Sequence, residues 1–291
     1  MTDINKTAIA LGTFDGVHAG HIAVLKEAVS SGLDTVCIAF RVPPKCFFQT
    51  QNIILTPEKD KTRLIKETGI KKVDYIDFEE VKDLTPEEFF KKINDKYNIS
   101  LIVCGYNYSF GKGGKGDTAL LKKLCQDRKI TLKVVEKVTV NGDTVSSSFI
   151  RELLKTGHIE KAVSLLPDGF SISGEVIHGD RRGTDINFPT INQYYPENRA
   201  EIKFGVYMSS TVIDGKTYYG MTNIGFRPTY PVKKPLCETN LFNFSDDLYG
   251  QNIKINLLSF IRDEKTFSSL SELKEAIETD KKEILKRLRK D

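Results

Sequence analysis

No run of eighteen apolar residues occurs in this 291-residue chain, so no membrane-spanning helix is expected. The opening Met1-Thr2-Asp3-Ile4-Asn5-Lys6 lacks the basic start and apolar stretch of a secretory leader, and the cytoplasm is the expected compartment. The five cysteines, Cys37, Cys46, Cys104, Cys125 and Cys237, are scattered with no C-x-x-C pair, which argues against a disulfide framework or a zinc site. Cys37 and Cys104 fall in apolar, strand-like runs and read as small buried hydrophobes. A strong basic excess is missing too. The net charge is +4, and the basic end from Lys281 to Lys290 carries apolar residues at helical spacing, the pattern of a solvated helix face. Neither nucleic acid nor membrane is therefore expected as a partner, while a homo-oligomer stays open. Internal repeats and low-complexity tracts are absent.

What is there fits a soluble globular chain long enough for two modest domains, with 40% hydrophobic and 28% charged residues. From Thr7 to Glu136 short apolar runs alternate with helical patterns. Strands are expected at Thr7–Leu11, Asp34–Phe40, Val73–Ile76, Ser100–Gly105 and Thr131–Glu136. Helices are expected near Gly20–Ser30, over Pro57–Thr68 with Thr56 as N-cap, from Pro86 to about Tyr97, and over Asp117–Arg128. That alternation predicts a Rossmann-like α/β domain with a parallel sheet. Beyond Pro167-Asp168-Gly169, β-type runs dominate: Phe170–Ile177, Gly205–Ile213, Lys216–Ile224, Cys237–Phe242 and Ile253–Ser259. Asp214-Gly215 is a hairpin signal, and one helix follows Ser269. A small antiparallel β-barrel with a terminal helix is expected there, giving domains 1–166 and 170–291.

The most informative segment runs from Leu11 to His21. His18 and His21 lie three residues apart, nearly one helical turn, just after a strand and at the mouth of a helix. Gly12, Gly16 and Gly20 remove side chains where backbone would approach a ligand. Helix N-terminal amides favour phosphate. This pattern reads as a nucleoside triphosphate held at a strand-to-helix turn, with both histidines donating to it. The alternative is two histidines that merely cap or pack a helix. Further along, Ser147 and Ser148 stand at a helix start, with Arg151 one turn inside. Hydroxyls and a planar guanidinium there could hold the same phosphates, or serve as a cap and a surface arginine. Gly111 to Gly116 fits G-x-G-x-x-G, but it does not follow directly on a strand and holds two lysines, so it reads as a basic loop. In the second half, Thr190 and Asn192 are two apart in an extended segment and offer a hydroxyl and an amide oxygen to Mg²⁺.

The string G-T-F-D-G-V-H-x-G-H, from Gly12 to His21, resembles the signature of the nucleotidylyltransferase superfamily, and within it the bacterial bifunctional riboflavin kinase/FAD synthetase family. Val145 to Arg151 is similar to that family's I-S-S-T-x-I-R motif. Gly105-Tyr106-Asn107-Tyr108-Ser109-Phe110-Gly111 resembles its G-x-[DN]-[FY]-x-F-G element. Gly174 to Asn192 resembles the riboflavin kinase motif G-x-V-x-x-G-D-x-R-G-R-x-L-G-F-P-T-A-N. Matches to further family elements follow at Lys203–Tyr207, Asn223–Thr229, Cys237–Phe242, Asp247–Gly250 and Ile261–Glu264.

The resemblance implies riboflavin phosphorylation to FMN and FMN adenylylation to FAD, with ATP, Mg²⁺ and flavins bound. By it, His18, His21 and Arg151 are catalytic in the first domain. Gly12, Phe14, Asp15, Gly16, Ser147 and Ser148 hold nucleotide, while Asn107 and Phe110 hold flavin. In the second domain it implies Glu238 as base, Thr190 and Asn192 as metal ligands, and Gly179, Gly183, Pro189, Tyr207 and Arg262 as binding residues. The sequence departs from the family pattern in places. Pro43 stands where a P-H-P histidine is usual, Thr184 replaces an arginine, Asn187 a glycine, and Asn240 a histidine. The first departure motivates the rival of a riboflavin kinase that no longer makes FAD. A non-catalytic flavin or nucleotide sensor, and a different cytidylyl- or adenylyltransferase, are further rivals.

Overall fold

The computed structural model describes residues 6–48, 53–179, 188–226 and 234–289. Its contacts divide the chain into two units, Met1–Ile150 with Leu165–Pro167, and Arg151–Ser164 with Asp168–Asp291.

In the first unit, β1 (Thr7–Leu11), β2 (Asp34–Phe40), β3 (Lys72–Ile76), β4 (Ile99–Gly105) and β5 (Thr131–Val135) form a parallel sheet of order β3-β2-β1-β4-β5. The apolar runs that predicted β1, β2 and β4 are buried because helices cover both faces of the sheet. One core layer gathers Ile9, Leu11, Ile38, Phe89, Phe90 and Ile102; the other gathers Ala8, Ala10, Leu25, Cys37, Ile65 and Val103. Each fully buried Ile or Leu contributes about 2 kcal/mol. Strand order reverses on either side of β1, which places a ligand crevice at the carboxyl ends of β1 and β4.

Helices α1 (Ala19–Val29), α2 (Lys45–Phe48), α3 (Glu58–Glu67), α4 (Pro86–Lys96) and α5 (Thr118–Asp127) connect the strands. The Thr85 start of α4 is a full capping box: Glu88 N–H donates to Thr85 Oγ1, and Thr85 N–H to the Glu88 carboxylate. Helix α3 corrects an expectation. It begins at Glu58 with Pro57 as N-cap, and Thr56 instead gives its N–H to the carboxylate of Asp15. The glycine-rich loop at 111–116 opens no dinucleotide site. An antiparallel bridge between Phe110 and Gly116 closes it, and a Cβ at Gly111 would collide with the Pro86 backbone at the start of α4. The small ribbon β6 (Thr139–Val140) and β7 (Asp143–Thr144) leads into α6 (Ser147–Thr156).

The second unit is a nearly closed antiparallel barrel. It contains β8 (Phe170–Glu175), β9 (Ile191–Tyr194), β10 (Gly205–Ile213), β11 (Lys216–Gly225), β12 (Leu236–Leu241) and β13 (Asn252–Arg262), in the order β8-β13-β10-β11-β12-β9. Asp214-Gly215 turns β10 into β11 with positive φ at both residues, the two-residue turn that matches strand twist. Strand β9 adds to the runs expected from the sequence. Its Gln193 side chain donates to the carbonyls of Gly174 on β8 and Ile253 on β13, bridging the gap between the first and last strands. Helix α7 (Ile159–Ser164) and the residues before it gather with the barrel, where Lys203 N–H donates to Leu154 O and Glu160 pairs with Arg287. The terminal helix α8 (Leu270–Leu288) buries Ile284 against Val206, Met208, Met221 and Phe242 while its basic face stays solvated. Among the described residues no helix is long and apolar enough to cross a membrane. The five cysteines are free thiols, all buried except the half-buried Cys46.

Candidate active sites

In the first unit the β1–α1 turn is bent tightly. Phe14 and Val17 have φ of 51° and 42°, and Gly16 has φ of 93°. Positive φ is costly for a β-branched residue such as Val17, so the turn needs fixed partners. Asp15 supplies them. Its carboxylate is 1% exposed and accepts the Leu55 N–H at 3.0 Å and the Thr56 N–H at 3.1 Å. Its carbonyl accepts from Ser147 Oγ at 2.8 Å. His18 then caps α1, and its ring stacks on His21 with centroids 3.8 Å apart and planes at 18°. Stacking follows from the three-residue spacing anticipated in the sequence. The His18 ring lies over Gly20, where a Cβ would come 3.2 Å from Cε1. Phe14 backs the pair, its ring edge-on to His21 at 5.3 Å.

Several of the expected site residues have partners inside the unit. Phe14 and Asp15 are buried at the turn, the ring in the core and the carboxylate on the Leu55 and Thr56 amides. Ser147 uses its hydroxyl on the Asp15 carbonyl, whereas Ser148 is exposed at the start of α6. Phe110 is 5% exposed and packs beside Phe89 and Tyr108 in the core, so only Asn107 of the expected flavin pair is exposed. Gly12 lies over the Phe14 ring, with its N–H directed at Ile38 O. Arg151 follows on α6, one turn beyond Ser147.

One buried charge had no signal in the sequence. Lys61 on α3 is 1% exposed and donates to the carbonyls of Phe40 at 2.7 Å and Arg41 at 3.2 Å. Burial holds its ammonium below the usual lysine range, with the Asp15 carboxylate acting in the opposite direction. Arg41, two residues before Pro43 in the sequence, pairs through its guanidinium with Glu58 and Asp77.

In the second unit the strand register builds a lateral row. Asn192 on β9 faces Glu238 on β12; Glu238 faces Asn223 on β11; Asn223 faces Val206 on β10; and Val206 faces Arg262 on β13. Directly opposed residues of antiparallel strands share one face, so these side chains stand side by side. Asn192 is buried, and its amide donates to Thr190 O at 3.3 Å. A Cβ at Gly179 would sit 2.8 Å from Asn192 Cγ, so the glycine lets its loop lie directly on the carboxamide. Asn240, which stands where the family pattern has histidine, donates to Pro189 O at 2.7 Å. A cavity of about 220 Å³ opens beside Thr190, with Val176, Pro189, Thr239, Leu248 and Tyr249 among its walls. The His178 ring lies against that of Tyr249, with centroids 3.9 Å apart and planes tilted by 31°.

An amide oxygen opposite a carboxylate, as Asn192 stands to Glu238, offers hard donors that suit Mg²⁺ better than a softer metal. Among the described residues no cluster of three or more His, Cys, Asp or Glu could hold a metal by itself.

Two expected binding residues have partners within the second unit. Tyr207 is 0% exposed and donates its hydroxyl to Lys203 O. Arg262 forms a bidentate pair with Asp280 on α8, Nε–Oδ1 at 3.0 Å and Nη2–Oδ2 at 2.8 Å. Gly183, Thr184 and Asn187 lie outside the described residues. Asn223 carries no expected role although it sits in a matched motif; its place opposite Glu238 appears only from the register.

Residues 1–149 match the FAD synthetase family and residues 166–288 the riboflavin kinase family. The bifunctional riboflavin kinase/FMN adenylyltransferase of Bacillus subtilis (strain 168) is 35% identical, over 97% of this chain and 92% of the relative. That of Escherichia coli (strain K12) is 32% identical, over 94% and 90%. The chain belongs to the bifunctional riboflavin kinase/FAD synthetase family. A solved structure from Streptococcus pneumoniae, described as a macrolide-efflux protein, shares the fold with a TM-score of 0.85 and 27% identity, covering 96% of this chain and 95% of that one. Against the family pattern, Pro43 still stands as a departure, its carbonyl accepting the Cys46 N–H at the start of α2.

Proposed function

We propose that this chain makes FAD in two ATP-dependent steps. In the second unit Glu238 takes the proton of the riboflavin 5′-hydroxyl. The freed oxygen attacks the γ-phosphorus of ATP, the bond to the β,γ-bridging oxygen breaks, and FMN and ADP leave. In the first unit a phosphate oxygen of FMN attacks the α-phosphorus of a second ATP. The α,β bridge breaks, and FAD and pyrophosphate leave. Mg²⁺ neutralises phosphate charge when bound, and Thr190 and Asn192 would hold it in the kinase site.

The observation that carries this reading is the register row Asn192–Glu238–Asn223. It sets the Glu238 carboxylate beside the Asn192 amide, and a binding protein has no use for a base. His18 and His21 supply donors for the triphosphate of the adenylyl step, joined by Ser148 and Arg151, while Asn107 offers an amide to the flavin edge. Cytoplasmic placement fits this chemistry, because both substrates and ATP are small soluble metabolites.

Product chromatography tests the reading. Purified protein is incubated with ATP and Mg²⁺, once with riboflavin and once with FMN. FAD from FMN, with FMN or FAD from riboflavin, supports both steps. FMN from riboflavin without FAD in either reaction leaves the kinase alone, with Pro43 as the first suspect. No product in either reaction favours the sensor.

A further inference from the structure

The residues from Leu55 to Lys61 fasten two strand ends at once. At one end the Leu55 and Thr56 amides close on the Asp15 carboxylate of the β1–α1 turn. At the other, six residues on, the Lys61 ammonium closes on the Phe40 and Arg41 carbonyls at the exit of β2. Lys61 N–H also donates to Pro57 O, so the ammonium is set by the first turn of α3. The Leu55 side chain lies 3.1 Å from where a Cβ of Gly16 would be, which packs the same segment under the turn. Both charges are buried, and Asp15 is foremost among the groups that favour the Lys61 ammonium. Neither side chain is exposed to a ligand, so neither fits a direct role in the reaction.

We infer that Asp15 and Lys61 are positioning residues for the adenylyl step, acting through segment 55–61 as a strap that holds the strained turn and thereby the stacked His18–His21 pair. This rests on the adenylyl-transfer reading of the first unit. Two features support a positional role over general stability. The turn carries positive φ at Phe14 and Val17, so it relaxes when its partners are lost. His18 follows Asp15 by three residues and begins α1, so a relaxed turn rotates the ring pair.

The chain has only four histidines, His18, His21, His158 and His178, so proton NMR of the ring Cε1–H signals reads the pair directly. Asp15→Asn, Lys61→Met and the double variant are compared with the unsubstituted protein. In the single variants the two signals of the stacked rings shift, and those of His158 and His178 hold still. FAD formation from FMN falls at least tenfold in kcat in Asp15→Asn, with KM for FMN within twofold, while riboflavin phosphorylation stays within twofold. Because both residues act through one strap, the double variant loses no more than the worse single variant. Unmoved His18 and His21 signals in both single variants overturn the inference, as does a double loss equal to the product of the singles. If Asp15→Asn fails to fold in its first unit, Lys61→Met, which keeps the aliphatic stem, decides alone by the same signals. Absence of FAD from the unsubstituted protein would instead sink the adenylyl reading, and the NMR comparison would still test the strap.

Discussion

Glu238 on β12 and Asn192 on β9 are direct partners across an antiparallel pair, so the carboxylate proposed as base and the side-chain amide share one face of the barrel. Replacing Glu238 by Gln keeps size and removes the base. Riboflavin phosphorylation is expected to fall by about 10²- to 10⁴-fold in kcat. FAD formation from FMN should not change, because the two reactions use different units. Chromatography of both product mixtures checks this, and equal loss of both activities would count against the assignment.

The His18 ring, the proposed phosphate donor, stacks on His21 and lies 3.2 Å from where a Cβ of Gly20 would be. Removing one preorganised donor from a phosphate-transfer site costs roughly 10²- to 10³-fold in rate. His18→Ala should therefore lower FAD formation by that factor and spare FMN formation. A variant that still makes FAD at more than a third of the normal rate would return His18 to a helix-capping role.

Gly179 lies against the Asn192 carboxamide with no room for a Cβ. Gly179→Ala pushes that amide away from Glu238, or lifts the loop away from β9. Either displacement is expected to raise the Mg²⁺ concentration needed for half-maximal riboflavin phosphorylation several-fold, with the melting temperature little changed. Titration of the kinase rate with Mg²⁺ provides the check. An unchanged titration would separate Asn192 from the metal.

Much of this was legible before any coordinates. Strands β1 and β2 have the expected limits because they are central, buried and apolar on both faces, so pattern and packing agree. The start of α4 at Pro86 was legible because the signals that open this helix are local, and the structure adds the Thr85–Glu88 capping box to it. What the sequence hid is what depends on register or on distant backbone. Asp15 looks like a ligand-facing acid in a motif, and only the amides of Leu55 and Thr56, forty residues away, turn it into a brace. Lys61 sits among Lys59, Asp60 and Thr62 and reads as one more solvated charge. Strand β9 is short and polar, and it is stabilised by pairing with β12 more than by its own propensity. Arg262 and Tyr207 lie in matched motifs, and their partners Asp280 and the Lys203 carbonyl appear only from the fold, because one is 18 residues away and the other is a backbone group.

Lys61 also predicts a pH dependence. Its native pKa lies below the 10.5 of an ordinary lysine because of burial; Asp15, Glu58, Cys37 and Arg41 act on its charge, and the Tyr75 ring lies 5.1 Å from the ammonium. Between the lowered value and 10.5 the unfolded chain binds more protons at this site than the native one. Unfolding free energy therefore gains a contribution that rises with pH across that window. Lys61→Met lacks the contribution. Wild-type stability relative to the variant should grow as the pH is raised toward 10.5, measured by urea unfolding of both proteins at matched pH values. A difference that stays flat would show that the ammonium titrates as in a free chain.

Arg262 separates two uses of one motif. If its guanidinium bound the flavin or nucleotide, Arg262→Met would raise KM and leave stability alone. The structure instead gives both Asp280 oxygens to Arg262, fastening α8 to β13, with Asp280 almost fully buried. Removing the arginine leaves that carboxylate without its cation. Such losses run to about 3–5 kcal/mol for fully buried pairs, and solvent reaches part of this guanidinium, so about 2 kcal/mol is expected. For a unit of this size that lowers the melting temperature by roughly 5–10 °C. Arg262→Met combined with Asp280→Leu should regain most of the loss, because an apolar pair of similar volume leaves no buried charge. Calorimetry of the single and double variants decides. A single variant with wild-type melting and a raised KM for riboflavin would restore the ligand role.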